Sequence, residues 1–259
     1  MDSEKTIKKD SFISTNTLLL ISSGFIMICY SALILPDHLI HRLTSEDGLF
    51  ESIGAFFFLA TSIIFFSGFL RRGLPNHFLF KKLNRNYNML IAGILFLFIF
   101  GEEISWGQRI LGIESGEYFK SRNIQGETNL HNLKIFNSVD SNNVKKEWWY
   151  FLSMSRMFRL FWFVWCILIP ISVRLLPNIK NTIQRIGIPL VAPAFGILLA
   201  LNYVTLKFFE SWRSSFAEVV EIEECVAAFI FFTIALFIVY GSDQTIKSKI
   251  RNEDAAFAD

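Results

Sequence analysis

Six apolar runs, each long enough to cross a lipid bilayer, limit what this 259-residue chain can fold into more than any other feature. They fall near 15–36, 49–70, 89–106, 151–173, 188–209 and 218–240. At about 1.5 Å of rise per residue, about 20 helical residues span a hydrocarbon core of about 30 Å. The expected fold is therefore all-α: a polytopic membrane bundle of six transmembrane helices forming one domain over 15–240. Hydrophobic residues make up 52% of the chain and 29 of them are Phe, too apolar for an ordinary water-soluble domain. Lys and Arg are scattered between the runs and form no basic stripe, which argues against a nucleic-acid partner.

The connections fix an expected orientation. After the second run come Arg71, Arg72, Lys81, Lys82 and Arg85, and after the fourth Arg174, Lys180 and Arg185, without acidic residues among them. The positive-inside rule puts these loops in the cytoplasm. An even number of spans then places both tails, 1–14 with Lys5, Lys8 and Lys9 and 241–259 with Lys247, Lys249 and Arg251, on that same side. The expected location is the inner (cytoplasmic) membrane, with N and C termini cytoplasmic. Leu18 to Leu35 is long for the apolar stretch of a signal peptide and no A-x-A site follows, so a retained anchor is expected. On the outer side lie short loops at 37–48 and 210–217 and one long segment, 107–150. A structureless stretch of that length is uncommon, so short surface helices are expected in it, with Trp148, Trp149 and Tyr150 as an interfacial belt.

Cys29, Cys166 and Cys225 stand alone inside apolar runs, with no zinc or disulfide spacing, and read as buried thiols. The acidic residues are the anomaly. Counted from the cytoplasmic ends, Glu102, Arg159 and Asn202 rise about 21 to 22 Å and Glu224 about 24 Å, inside the outer leaflet. Glu51, Glu221, Arg156 and Lys207 lie roughly one turn further out. A charge at such depth costs on the order of 3 kcal/mol and usually marks a site. Spacings of three pair Arg156 with Arg159 and Glu221 with Glu224 on one helix face each. The carboxylates Glu51, Glu102, Glu103, Glu221 and Glu224 outnumber Arg156, Arg159 and Lys207, so protonation, a metal ion or water must relieve the surplus. Thr44 with Asp47 and Ser215 with Glu218 match the capping-box spacing, which assigns Asp47 and Glu218 to helix starts. Glu46, Glu210 and Glu223 carry no assignment.

Two local motifs concentrate the chemistry. In the run Gly101-Glu102-Glu103-Ile104-Ser105-Trp106-Gly107-Gln108-Arg109, two adjacent carboxylates precede a glycine break. Trp106 then sits at interface height, and Gln108 and Arg109 fold back over the bundle mouth. In the outer loop, Gln125-Gly126-Glu127-Thr128-Asn129-Leu130-His131-Asn132 gathers amide, carboxylate and imidazole groups; a helix there would align Glu127 with His131.

At these two motifs the sequence resembles a family of multi-pass bacterial membrane proteins that carry a GEEISWGQR-like and a QGETNLHN-like run and have no assigned activity. It also resembles, at Glu102 and Glu103, the glutamate-dependent intramembrane proteases that process CAAX proteins and bacteriocins. In that superfamily an arginine follows the second acid by four residues, where this chain has Gly107, with Arg109 two positions later. Its histidines lie in F-x-x-x-H and H-x-x-x-N elements, whereas His131 is flanked at those distances by Glu127 and Ile135. What the second resemblance implies is a membrane-embedded Glu and His that activate water beside a scissile bond.

The sequence thus supports a membrane-embedded hydrolase or transferase acting on a lipid, lipid-linked or membrane-peptide substrate. Glu102, Glu103, His131 and Arg109 are the expected catalytic residues. Arg156, Arg159, Trp106, Gln108, Asn129 and Asn202 are the expected substrate contacts. Glu51, Glu102, Glu103, Glu127, His131, Glu221 and Glu224 are candidate ligands for a divalent metal, of which Mg, Mn, Ca or Fe suits a carboxylate-rich set with one imidazole. A proton- or cation-coupled transporter is the alternative, disfavoured by inner halves such as Phe56–Phe69 and Met89–Phe100 that are nearly all apolar. A non-catalytic assembly or sensor subunit is the third reading.

Overall fold

The computed structural model describes residues 13–45, 47–71, 86–136, 153–212 and 216–241. Every regular element in them is helical, apart from one isolated antiparallel bridge between Asn123 and Leu133. Helix α1 (Thr15–Ser31) starts at Ser14, whose hydroxyl accepts the Thr17 amide at 3.1 Å, and tightens into a 3₁₀ turn over Ala32–Ile34. After the short α2 (Asp37–Thr44) come α3 (Leu49–Leu70) and α4 (Tyr87–Glu103), the latter capped by Asn86 through the Asn88 amide at 2.9 Å.

The 107–150 segment holds α5 (Gln108–Leu111) and α6 (Glu117–Arg122), the short helices its length led us to expect. Beyond it run α7 (Met154–Phe163), a π turn (Val164–Leu168), α8 (Ile169–Leu175), α9 (Pro177–Ile186), α10 (Pro193–Trp212) and α11 (Phe216–Tyr240). Among the described residues four stretches are long and apolar enough to cross a membrane: Thr15–Ile34, Asp37–Leu70, Met154–Leu175 and Ala217–Tyr240. The other two expected runs fold as α4, 17 residues, and α10, 20 residues. The Trp148–Tyr150 belt and both basic tails lie outside the described residues.

Helix α11 is the hub: 72% of its most apolar stretch is buried, against 17% in the first span. It packs on α3, α10 and α1, while α4 lies against α3. Phenylalanine fills the space between. Phe231 of α11 meets Phe96 of α4 at 5.1 Å, Phe158 of α7 at 5.6 Å and stacks on Trp165 at 6.3 Å. Such ring pairs add about 0.5–1.5 kcal/mol each beyond area burial. The few polar groups of the inner halves pair between helices: Ser22 with Thr233 at 3.1 Å, Ser62 to the Gly93 carbonyl at 2.8 Å, and Ser67 with Tyr240 at 3.0 Å. All three cysteines are buried and free, as their isolation in apolar runs suggested.

The π turn has a local cause. Pro170 has no amide hydrogen to give to the carbonyl four residues back, that of Cys166, and its ring crowds that position. The helix widens by one residue, the Ile169 amide bonding instead to Val164. Opposite the freed Cys166 carbonyl stands Gly196 of α10, where a Cβ would come within 2.3 Å of that oxygen. Proline, π turn and glycine together set how closely α10 approaches.

One capping expectation is corrected. Helix α3 begins at Leu49, so Thr44 lies in α2, its hydroxyl donating to the Ile40 carbonyl at 2.9 Å. Asp47 adopts positive φ (59°), and Glu51 reaches back to accept its amide at 2.6 Å. The chain needed the extra turn at Gly48, which moved the start of the helix and made Glu51 the capping carboxylate. Glu218 does lie in the first turn of α11, 3.8 Å from the His41 imidazole; Ser215 is outside the described residues.

Candidate functional site

The C-terminal end of α4 is built as an anchor for the loop that follows. Ser105, Trp106 and Gly107 all take left-handed backbone angles (φ 46°, 55° and 79°), which reverses the chain within three residues. For Ser and Trp this conformation costs on the order of 1 kcal/mol each and persists only where the surroundings hold it. They are held. The Trp106 indole folds back over Gly101, where a Cβ would meet it at 2.8 Å, and donates to Glu102 Oε1 at 2.7 Å. The Ser105 hydroxyl is buried, donates to Glu127 Oε2 and accepts from Asn129 Nδ2 at 2.9 Å.

Glu102 is the centre of this arrangement. Only 4% exposed, its carboxylate accepts the backbone amides of Leu130 at 2.5 Å and His131 at 2.9 Å on Oε2, besides the indole on Oε1. A buried carboxylate with three N–H donors is a satisfied anion, and each bond to it is stronger than a neutral one. The loop it grips is not a helix: residues 123–136 form turns closed by the Asn123–Leu133 bridge, so Glu127 and His131 are not related by helical spacing. They come together because Glu127 is tied to Ser105 and Asn129, and His131 to Glu102.

His131 Nδ1 lies 3.6 Å from Glu102 Oε2, ion-pair distance but too long for a hydrogen bond, and this nitrogen is buried with no hydrogen-bond partner. About a third of the side chain remains exposed. Burial pulls the imidazole pKa down, but the contact with Glu102 and the fields of Glu103, Glu102 and Glu127 outweigh it and leave the pKa raised.

Three expected substrate contacts act as braces. Gln108 accepts the Thr128 amide and donates to Ser115, both at 2.7 Å. Asn129, 1% exposed, also accepts from Asn123 Nδ2 at 2.7 Å. Asn202, equally buried, donates to the Glu223 carbonyl at 2.9 Å and accepts the Tyr30 hydroxyl at 2.7 Å, joining α10, α11 and α1. The Arg109 side chain lies outside the described residues.

Several of the polar residues expected at one depth act on one another. Glu103 acts electrostatically on both His131 and Glu224, and Glu224 also faces Glu221, Glu223 and Arg159. Arg159 stands with its guanidinium 4.9 Å from the Tyr203 ring centre, and Lys207 approaches the same ring at 5.9 Å while pairing with Glu210. Arg156 lies one turn before Arg159 in α7. Glu51 is engaged at the start of α3, where it accepts the Asp47 amide. Among the described residues no group of three or more His, Cys, Asp or Glu side chains is placed to hold a metal ion. Sequence reading missed Glu223, buried and within the fields of Arg159 and Lys207, and the hydroxyls of Tyr30 and Ser105. Of these only Tyr30 had a signal, a polar tip at the outer end of an apolar run.

No family model matches the chain, and comparison with curated proteins and with solved structures gives no match.

Proposed function

We propose that the protein is a six-span membrane hydrolase, with both termini on the basic, cytoplasmic face, that cleaves a lipid or lipid-linked substrate from the outer leaflet. The observation that carries this reading is the Glu102–His131 pair: an imidazole beside a carboxylate that three N–H donors hold in place. An oriented base of this kind is the recurring core of water-activating sites. His131, through its second ring nitrogen, takes a proton from water as the oxygen attacks the substrate's ester carbon or phosphorus. The same imidazolium then protonates the departing alcohol. Glu102 is a positioning residue in this scheme, and Arg156 and Arg159 offset negative charge on the substrate.

The test is isotopic. Protein in liposomes of mixed glycerophospholipids is incubated in water enriched in oxygen-18, and products are followed by mass spectrometry. For the wild type one labelled oxygen is expected in the acid or phosphate product and none in the departing alcohol, with loss of at least 100-fold in His131→Gln at unchanged melting temperature, since general acid–base groups contribute about 10²–10⁴. A His131→Gln protein that hydrolyses at the wild-type rate, or a wild type that incorporates no label from this lipid pool, defeats the proposal.

A further inference from the structure

Between the π turn and α10 the outward surface opens into an apolar recess of about 260 Å³, lined by Cys166, Ile167, Ile171, Ile197, Leu201 and Val204. It is a groove along a helix stripe. Pro193 and Val204 mark its limits on α10, about 17 Å apart at helical rise, a distance matched to an extended acyl chain and not to a compact solute. Its walls are fixed by the fold: Gly196 lets α10 approach the Cys166 carbonyl beneath it, while Ile197, Leu201 and Val204 stand open at 54–60% exposure.

The groove ends in positive charge. Lys207 lies three residues beyond Val204, the next turn of the same stripe, and Arg159 lies seven residues before Cys166 on the opposing wall. Both cations approach Tyr203, at 5.9 and 4.9 Å, so they meet at one end of the recess. Arg159 makes no hydrogen bond or ion pair among the described residues, although Glu223 and Glu224 face it; Lys207 shares its charge with Glu210. By depth, Arg159 and Lys207 sit at about 22 and 28 Å from the cytoplasmic ends of their helices, in the outer part of a core of about 30 Å.

We infer that this groove is a binding site for one glycerophospholipid, its acyl chain laid between the π turn and α10 and its phosphate held by Arg159 and Lys207. An apolar slot closed by two cations complements that amphiphile, and a neutral lipid would satisfy only half of it. The nearby carboxylates offset part of the positive charge, which suits a head group of single negative charge. The inference requires the membrane location and is independent of the hydrolase chemistry, so His131→Gln should bind lipid as the wild type does.

Native mass spectrometry of delipidated protein tests it, with dioleoyl phosphatidylglycerol and dioleoylglycerol as probes. The wild type should retain one phosphatidylglycerol at least tenfold more strongly than the diacylglycerol. Lys207→Gln and Arg159→Gln should each lower that ratio at least threefold. Leu201→Trp and Ile171→Trp, outward-facing changes on opposite walls, should each remove both lipids, and helical content by circular dichroism identifies either as folded. Equal retention of the two lipids, or undiminished retention in a folded Trp variant, overturns the inference.

Discussion

Replacing Glu102 by Gln keeps the shape of the side chain and removes the charge on which the outer loop rests. The carboxylate has two acceptor atoms and serves three donors: Oε2 takes the Leu130 and His131 amides, and Oε1 takes the Trp106 indole. An amide has one acceptor and one donor end, so either the two backbone amides or the indole must face an N–H₂ group. At least one bond is lost and the remainder lose their charge assistance, worth together about 2 kcal/mol on a scale of 1.5–3 per bond to a charged group. Local opening of the loop should therefore rise about 30-fold. Hydrogen exchange at the Leu130 and His131 amides, measured by mass spectrometry in lipid nanodiscs, reads that change directly. Exchange in core residues of α11, such as Val226 and Ile230, should stay as slow as before. If the two loop amides exchange at the wild-type rate in Glu102→Gln, the carboxylate is not the anchor and the site geometry derived above fails.

Three further outcomes follow from the same coordinates. The raised pKa of His131 means that its charged form stabilises the folded loop; the contribution is full below the unfolded value of about 6.5 and fades as pH rises through the folded value. Loop exchange should accelerate with pH above 6.5 beyond the intrinsic rate, and His131→Gln should abolish that excess. Gly196→Ala sets a Cβ 2.3 Å from the backbone oxygen of Cys166, which cannot rotate away, so α10 must shift; a cost of about 1–3 kcal/mol should appear as a lower melting temperature. Asn202→Leu removes the side-chain bonds to the Tyr30 hydroxyl and the Glu223 carbonyl, leaving the hydroxyl only its 3.2 Å bond to the backbone carbonyl of residue 202, and should destabilise by about 1–2 kcal/mol without altering loop exchange.

How much of this was legible in the chain depends on the range of the interactions. Apolar length alone marks the six runs that fold as long helices, and counting residues from their ends gives Glu102, Arg159, Asn202 and Glu224 one expected level, because helical rise is nearly constant. Roles were harder to read than places. Glu102 looks like a free acid until the loop amides of Leu130 and His131 are seen on it, a contact across 28 and 29 residues that no local pattern encodes. Asn129 and Gln108 look presented to a ligand for the same reason. The misplaced cap at Asp47 reflects a short-range ambiguity: Asp47 and Glu51 both sit near a glycine, and only the backbone turn decides which one reaches an amide. Glu223 was passed over because adjacent carboxylates on one helix point in different directions, and a single chain does not say which one meets Arg159.

The π turn also determines how the fourth long helix tolerates insertion and deletion. One surplus residue within Val164–Leu168 uncouples the rotational phase of the outer half, with Arg156 and Arg159, from that of the inner half, with Arg174. Excising one residue there and replacing Pro170 would leave the two halves in phase, but replacing Pro170 alone, so that the helix closes as unbroken α, would rotate one half against the other by about 100°. Arg159 would then leave Tyr203 and, with Arg156, turn toward lipid, with every side chain of the layer still present. In this helix, reading frame along the axis is as much a property of the polar layer as the identity of its residues.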